Sequence, residues 1–205
     1  KLKIKSEEKI IEFLSSQQTG RISSIDENGY PQIIPMNFVY ISDVIYMHSH
    51  VRGEKLDNIR RNQKVGFEVD KNLEFLPSYF SDPTDASLAD TLYISVVIKG
   101  NASIVSDKKE KTTALNGLMK KYQPEGGYEP IKPEMDVLDE VVVIKIVPKS
   151  LRGKYKIGQN MDMKSRIDLA KQILKRGTPT AKETLDIMGF KIIDNEPKLV
   201  DDKPW

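Results

Sequence analysis

The stretch YMHSHVRGEKLDNIRRN, Tyr46 to Asn62, gathers the residue types that do chemistry: His48, Ser49, His50, Arg52, Gly53 and Lys55, with the only two histidines of the chain among them. Three chemistries compete for it. A metal site has two imidazoles to start from, because residues two apart on a strand share a face. It lacks further ligands: there is no cysteine and no other histidine, so carboxylates would have to complete the set, an uncommon zinc site. The alternative places one histidine packed and one exposed at a strand end. A nucleic-acid patch would use Arg52, Lys55, Arg60, Arg61 and Lys64. Glu54, Asp57 and Glu68 interrupt that run, Asp57 and Arg61 have the spacing of a helical ion pair, and no aromatic residues interleave to stack bases.

A phosphate site uses more of the residues. If a strand ends near His50 and a helix begins near Gly53 or Glu54, the unbonded N–H groups of the first helical turn attract an anion. Gly53 lets the backbone approach, Ser49 offers a hydroxyl, and Arg52 and Lys55 neutralise a dianion. A phosphomonoester suits this better than a polyphosphate, since no Walker-type or dinucleotide glycine pattern is present. On these residues alone a plain turn with solvated charges stays open.

The elements that would position this stretch read as strands with helices between them. SEEKIIEFLSS has an acidic first turn and an apolar side formed by Ile10, Ile11, Phe13 and Leu14, which predicts a helix. GRISSIDENGYPQIIPMNFVYISDVIYMHSH predicts three antiparallel strands with tight turns at Asn28-Gly29 and Ser42-Asp43. VGFEVD is a further strand and KNLEFLPSYFSDPTDASLAD a long loop. TLYISVVIKGNASIVS is a strand bent or bulged at Gly100, as in a sheet that curls. Asp107 and Glu110 have the spacing of a capping box and open a second surface helix. A Pro- and Gly-containing loop follows, then the strand EVVVIKIVPKSLRGKYKIG. From Met161 two helical patterns break at Gly177 and Pro179. They form an appendage or an arm over a partner. The expectation is a mainly β protein, a small antiparallel barrel of five or six strands with flanking helices, over residues 1–158, and a helical extension over 159–205.

Composition limits the partners. A chain of 205 residues with 39% hydrophobic content can bury a sizeable core. A formal charge of +2 gives the molecule no strong field toward DNA or an anionic membrane, so any anion site is local. The absence of cysteine excludes disulfides and a thiol nucleophile. No apolar run reaches the roughly eighteen residues of a membrane span, and the first residues lack a signal-peptide core. These features predict a soluble cytoplasmic protein that binds neither nucleic acid nor membrane.

Taken in order, GRISSIDENGYPQIIPMNFVY, VIYMHSHVRGEKLDNIRRNQKVGFEV and YISVVIKGNASIVSDKKEKTTALNGLMKKY resemble the FMN-binding split-barrel superfamily of pyridoxamine 5'-phosphate oxidase, and within it the nitroimidazole-reductase-like branch. The resemblance runs from about Lys5 to about Gly158. It implies a six-stranded antiparallel split barrel that forms a homodimer with FMN at the subunit interface. It assigns the flavin phosphate to His48, Ser49, Gly53 and Lys55, with Arg52 near enough to help. Pro35, Met36, Asn37 and Phe38 match the strand that lies along the isoalloxazine ring, largely through backbone groups. Ser95, and with it Tyr93, matches a second flavin-touching strand. Arg152, Gly153 and Lys154 match a closing element near the cofactor, facing the partner's site. IIPMNFVY has no arginine and the terminal KPW is not the pyridoxal phosphate motif, so pyridoxamine phosphate oxidation itself is not what the resemblance implies.

The activity implied is an FMN-dependent oxidoreductase. It would pass two electrons from NADH or NADPH through the flavin to a small acceptor such as a nitroaromatic or a quinone, with no dedicated acid or base. Tyr79, Phe80, Met161 and Met163 are candidate substrate walls. The alternatives are a flavin- or haem-binding redox protein without turnover, with His48 or His50 as an iron ligand, and an oligonucleotide-binding barrel.

Overall fold

The computed structural model describes residues 3, 4 and 6–201; the terminal KPW lies outside the described residues. The chain divides into two compact units, a larger one of Glu7–Val69 and Val96–Arg152 and a smaller one of Lys1–Ser6, Asp70–Ser95 and Gly153–Trp205.

In the larger unit, helix α1 (Glu7–Ser16) buries Ile10, Phe13 and Leu14 and keeps Glu7 and Glu8 in its first turn, where acids suit the helix dipole. Strands β1 (Thr19–Ile25) and β2 (Pro31–Asn37) pair antiparallel from Thr19↔Asn37 to Ile25↔Pro31. Their turn is held by the Asp26 carboxylate, which accepts from the amides of Asn28 and Tyr30 at 2.8 Å each. Strands β3 (Val39–Ile41) and β4 (Val44–His50) follow, joined through Ser42 and Asp43 with φ of 47° and 63°, the left-handed pair of a type I′ hairpin. Helix α2 (Glu54–Arg61) leads into β5 (Lys64–Leu76). Strand β6 (Asp90–Ile104), helix α3 (Lys108–Tyr122), the turn of helix α4 (Val137–Glu140) and strand β7 (Val141–Lys156) complete the set, with β5 from Asp70, β6 up to Ser95 and β7 from Gly153 counted in the smaller unit.

The strand order is β2-β1-β5-β6-β7-β4-β3. Only Phe38 separates β2 from β3, so the order returns to the strand it started from. The expected six strands become seven because one of them is interrupted there, and the mainly antiparallel β class stands. Phe38 is fully buried, its ring edge-on to Phe67 at 5.1 Å. At Gly100 the reason for a glycine is close approach: a Cβ would sit 2.6 Å from the Val147 carbonyl oxygen. Asp107 caps α3 by accepting from the Glu110 amide at 2.8 Å. The Glu110 side chain does not reach back to complete a capping box. It pairs with Lys145 at 2.9 Å and accepts from the Tyr46 hydroxyl.

In the smaller unit, helix α5 (Met163–Arg176) is capped by Asp162, which accepts from the Ser165 amide, and ends at Gly177 in the left-handed region. Helix α6 (Ala181–Ile187) and the hairpin of β8 (Phe190–Ile193) and β9 (Glu196–Leu199) follow. The two expected helices are present, and the hairpin is an addition to them. Asp194 and Asn195, at φ 53° and 60°, make its turn. A correction concerns KNLEF, expected as loop, which continues β5. Its Glu74 is only 4% exposed, and hydroxyls of Thr178 and Thr180 (2.6 and 2.9 Å) and the Arg176 guanidinium hold its carboxylate.

Candidate functional site

Alternation along β4 decides the first feature of the site. His48 and His50 fall on the exposed face and Ser49 on the buried one, so both histidines are exposed, where one had been expected to pack. Ser49 is 6% exposed and its Oγ has no hydrogen-bond partner among the described residues. A buried hydroxyl left unpaired costs about 1–3 kcal/mol, so this position favours an incoming acceptor.

The chain then turns into α2 through Gly53, whose φ of 146° and ψ of 150° fall in a region that glycine adopts without strain. The Gly53 carbonyl accepts from the amides of Leu56 (2.9 Å) and Asp57 (3.4 Å), and no side chain caps the helix. The amides of Glu54 and Lys55 are thereby uncapped in the first turn, where the helix dipole favours an anion. The His50 Nδ1 accepts from the Arg52 amide at 3.2 Å, which steadies the turn and leaves the imidazole proton of a neutral His50 on Nε2.

Charge along this segment is sorted. Arg60 pairs with Asp57 at 2.9 Å, while Arg61 bonds the Asn58 side chain and not Asp57, correcting the expected i,i+4 pair. Arg21 pairs with Glu68. Arg52 and Lys55 have no carboxylate partner among the described residues. Glu54 and Asp57 line a depression with Asp26, Glu27 and Arg61. Among the described residues no group of three or more metal-ligating side chains assembles.

The end of β2 comes near this cradle. The β3–β4 register pairs Val39 with Tyr46; continued back past Phe38, it sets Asn37 opposite His48, and β2 and β4 do approach each other. Pro35 and Asn37 are exposed and Met36 is half-buried, whereas the Phe38 ring is in the core. The Phe38 amide donates to the Tyr122 hydroxyl at 2.9 Å, and that hydroxyl lies 3.1 Å from the Phe38 carbonyl and also donates to the Gln18 carbonyl. Phe38 therefore fixes the strand rather than presenting a side chain. Tyr122, read from the sequence only as part of a surface helix, is the residue that pins it; nothing in KKYQPEGG signals that role.

Lys121 stands over Phe38, with Nζ 3.7 Å from the ring centre and 3.2 Å from the Leu14 carbonyl. Burial pushes its ammonium down to about 8, while the ring face and the carbonyl favour the charged form. Ser95 and Lys154 belong to the smaller unit. Ser95 is half-buried on β6; Lys154 is exposed on β7, its Nζ 5.6 Å from the centre of the Tyr93 ring.

Comparison with known proteins places this geometry in context. Residues 6–155 match the sequence model of the pyridoxamine 5'-phosphate oxidase family. No curated protein matches the chain. Among solved structures, the fold is similar to a candidate 5-nitroimidazole antibiotic resistance protein from Bacteroides thetaiotaomicron (21% identity, 75% of this chain and 86% of that one, TM-score 0.64). It is also similar to the flavocytochrome Anf3 from Azotobacter vinelandii (18%, 76% and 69%, 0.64) and to an FAD and heme binding protein from Mycobacterium smegmatis (13%, 82% and 80%, 0.66). At these identities the likeness is one of fold.

Proposed function

The chain belongs to the pyridoxamine 5'-phosphate oxidase family, and from that premise we propose that it is a flavoprotein oxidoreductase that binds FMN. The observation that carries the reading is the unpartnered Ser49 hydroxyl on the same short segment as Gly53, the uncapped amides of α2 and the unpaired cations Arg52 and Lys55. A phosphate monoester supplies the acceptors this set lacks: one oxygen for Ser49 Oγ, others for the helix amides, and a dianion for the two cations. Pro35, Met36 and Asn37 offer a strand edge beside His48, anchored from within by Phe38. Ser95 and Lys154 enter on the family resemblance.

Bound there, FMN would supply two-electron transfer between a reduced nicotinamide and a small acceptor such as a nitroaromatic or a quinone. The residues hold the cofactor and orient it, and none is assigned an acid or base role. The working form is a homodimer with FMN at the subunit interface. A second reading, a haem-binding or electron-carrying protein without turnover, draws support from the exposure of both His48 and His50 and from the haem named for the Mycobacterium smegmatis protein.

Anaerobic mixing with NADH or NADPH separates the two. The oxidoreductase reading expects the bound flavin absorbance to bleach and to return on adding a nitroaromatic or a quinone. Flavin that stays oxidised with both nicotinamides, or a haem spectrum in its place, would contradict it.

A further inference from the structure

Within the smaller unit, two adjoining cavities lie among the 77–89 connection, the end of β7 and α5. The first, of about 380 Å³, is walled by Leu76, Leu88, Leu92, Met161 and Leu169. Leu88 and Met161 are 44% and 45% exposed, so the chain leaves apolar surface uncovered at the mouth of its own cavity. The polar part of that lining is Ser81, Gln159, Asn160 and Gln172 with Asp90 and Lys156, and the last two pair with each other and so offer no free charge.

The second cavity, of about 390 Å³, shares Phe80 and Gln172 with the first and adds Tyr79, Lys175 and Arg176. Tyr79 is 60% exposed, its ring edge-on to Phe80 at 5.5 Å, and forms an aromatic shelf. Arg176 is engaged by the Phe75 carbonyl and Glu74. Lys175 has no carboxylate partner and Gln172 no hydrogen bond among the described residues. The two stand three apart on α5, on one side of the helix.

We infer that these cavities form one binding site for a small amphipathic organic anion. Its apolar ring body fills the Leu88–Met161 cavity, and its acidic group rests on Lys175 beside the Tyr79 shelf. Each volume is in the range of a pocket for one small ligand. A recess with a leucine and methionine wall that ends at an unpaired cation favours a ligand with an apolar body and one acidic group, and disfavours a dication, which would strand Lys175. Tyr79, Phe80 and Met161, expected from the sequence as substrate walls, line this site, which is argued on the smaller unit alone and does not rest on the flavin reading.

The probe is 8-anilinonaphthalene-1-sulfonate, fused rings with one permanent negative charge, titrated into the full chain and followed by fluorescence at two salt concentrations. The expected result is saturable binding that weakens with salt. Lys175→Gln should weaken it about tenfold, the share of one charge-assisted hydrogen bond, and remove most of the salt dependence. Leu88→Gln should weaken it severalfold and keep the salt dependence. Both side chains are exposed, and unchanged cooperative unfolding verifies that the variants are native, since this probe also binds partly folded chains. Absence of saturable binding overturns the site, as does wild-type affinity in either variant.

Discussion

Ser49 presents a hydroxyl buried at the end of β4 with no hydrogen-bond partner among the described residues. The sign of its contribution should change with ligand. In flavin-free protein Ser49→Ala removes an unsatisfied group, so stability to urea should stay the same or rise by up to about 1 kcal/mol. In the same variant FMN should bind about tenfold more weakly. A loss of apo stability with unchanged FMN affinity would show the hydroxyl to be structural. Lys121 gives a pH test at the same scale. Its folded pKa, about 8, lies below the ordinary 10.5, so between these values the unfolded chain holds a proton that the folded chain has released. Stability should therefore rise as pH increases from 8 to 10.5 and be flat in this contribution below 8. Lys121→Met should flatten that rise in urea midpoints taken across the window; an identical slope in both proteins would refute the assignment.

Among the elements, β5 shows where polarity misleads. KNLEF reads as loop because lysine, asparagine and glutamate crowd it, yet it is a strand whose Glu74 is buried and held by Thr178, Thr180 and Arg176, about a hundred residues onward. No local pattern announces partners that distant. Glu74→Ala should cost about 2–4 kcal/mol, since it strands two hydroxyls and part of a guanidinium; a urea midpoint equal to wild type would contradict this. Where the determinants are local, the sequence was readable: Asn28-Gly29 and Ser42-Asp43 form the predicted turns, Asp107 caps α3, and Gly177 ends α5. The β8–β9 hairpin was missed because IIDNEPKL offers an Asp194-Asn195 turn without glycine, and Pro197 argues against a strand. The strand, Gly53 turn and helix of the phosphate cradle were also legible, but the residues alone did not separate that cradle from a solvated turn. What the structure adds is burial, an inward Ser49 with no partner between two outward histidines.

For the whole molecule, family membership covers residues 6–155, while much of the smaller unit's own architecture, α5, α6 and the hairpin, comes after it. Among the described residues no helix is long and apolar enough to cross a membrane. Ile33 on β2, Val97 on β6 and Val147 on β7 are exposed apolar side chains. The proposed homodimer predicts twice the chain's 23.3 kDa mass by light scattering at micromolar concentration; a monomer with FMN bound would separate flavin binding from dimer formation. The central claim, that the Ser49–Lys55 segment holds a flavin phosphate, is tested most directly by titrating flavin-free protein with FMN and with riboflavin, which lacks the phosphate. The account predicts that FMN binds much more tightly than riboflavin, and that Lys55→Ala weakens FMN about tenfold while leaving riboflavin unchanged. Equal binding of the two flavins, or no uptake of FMN, would contradict it.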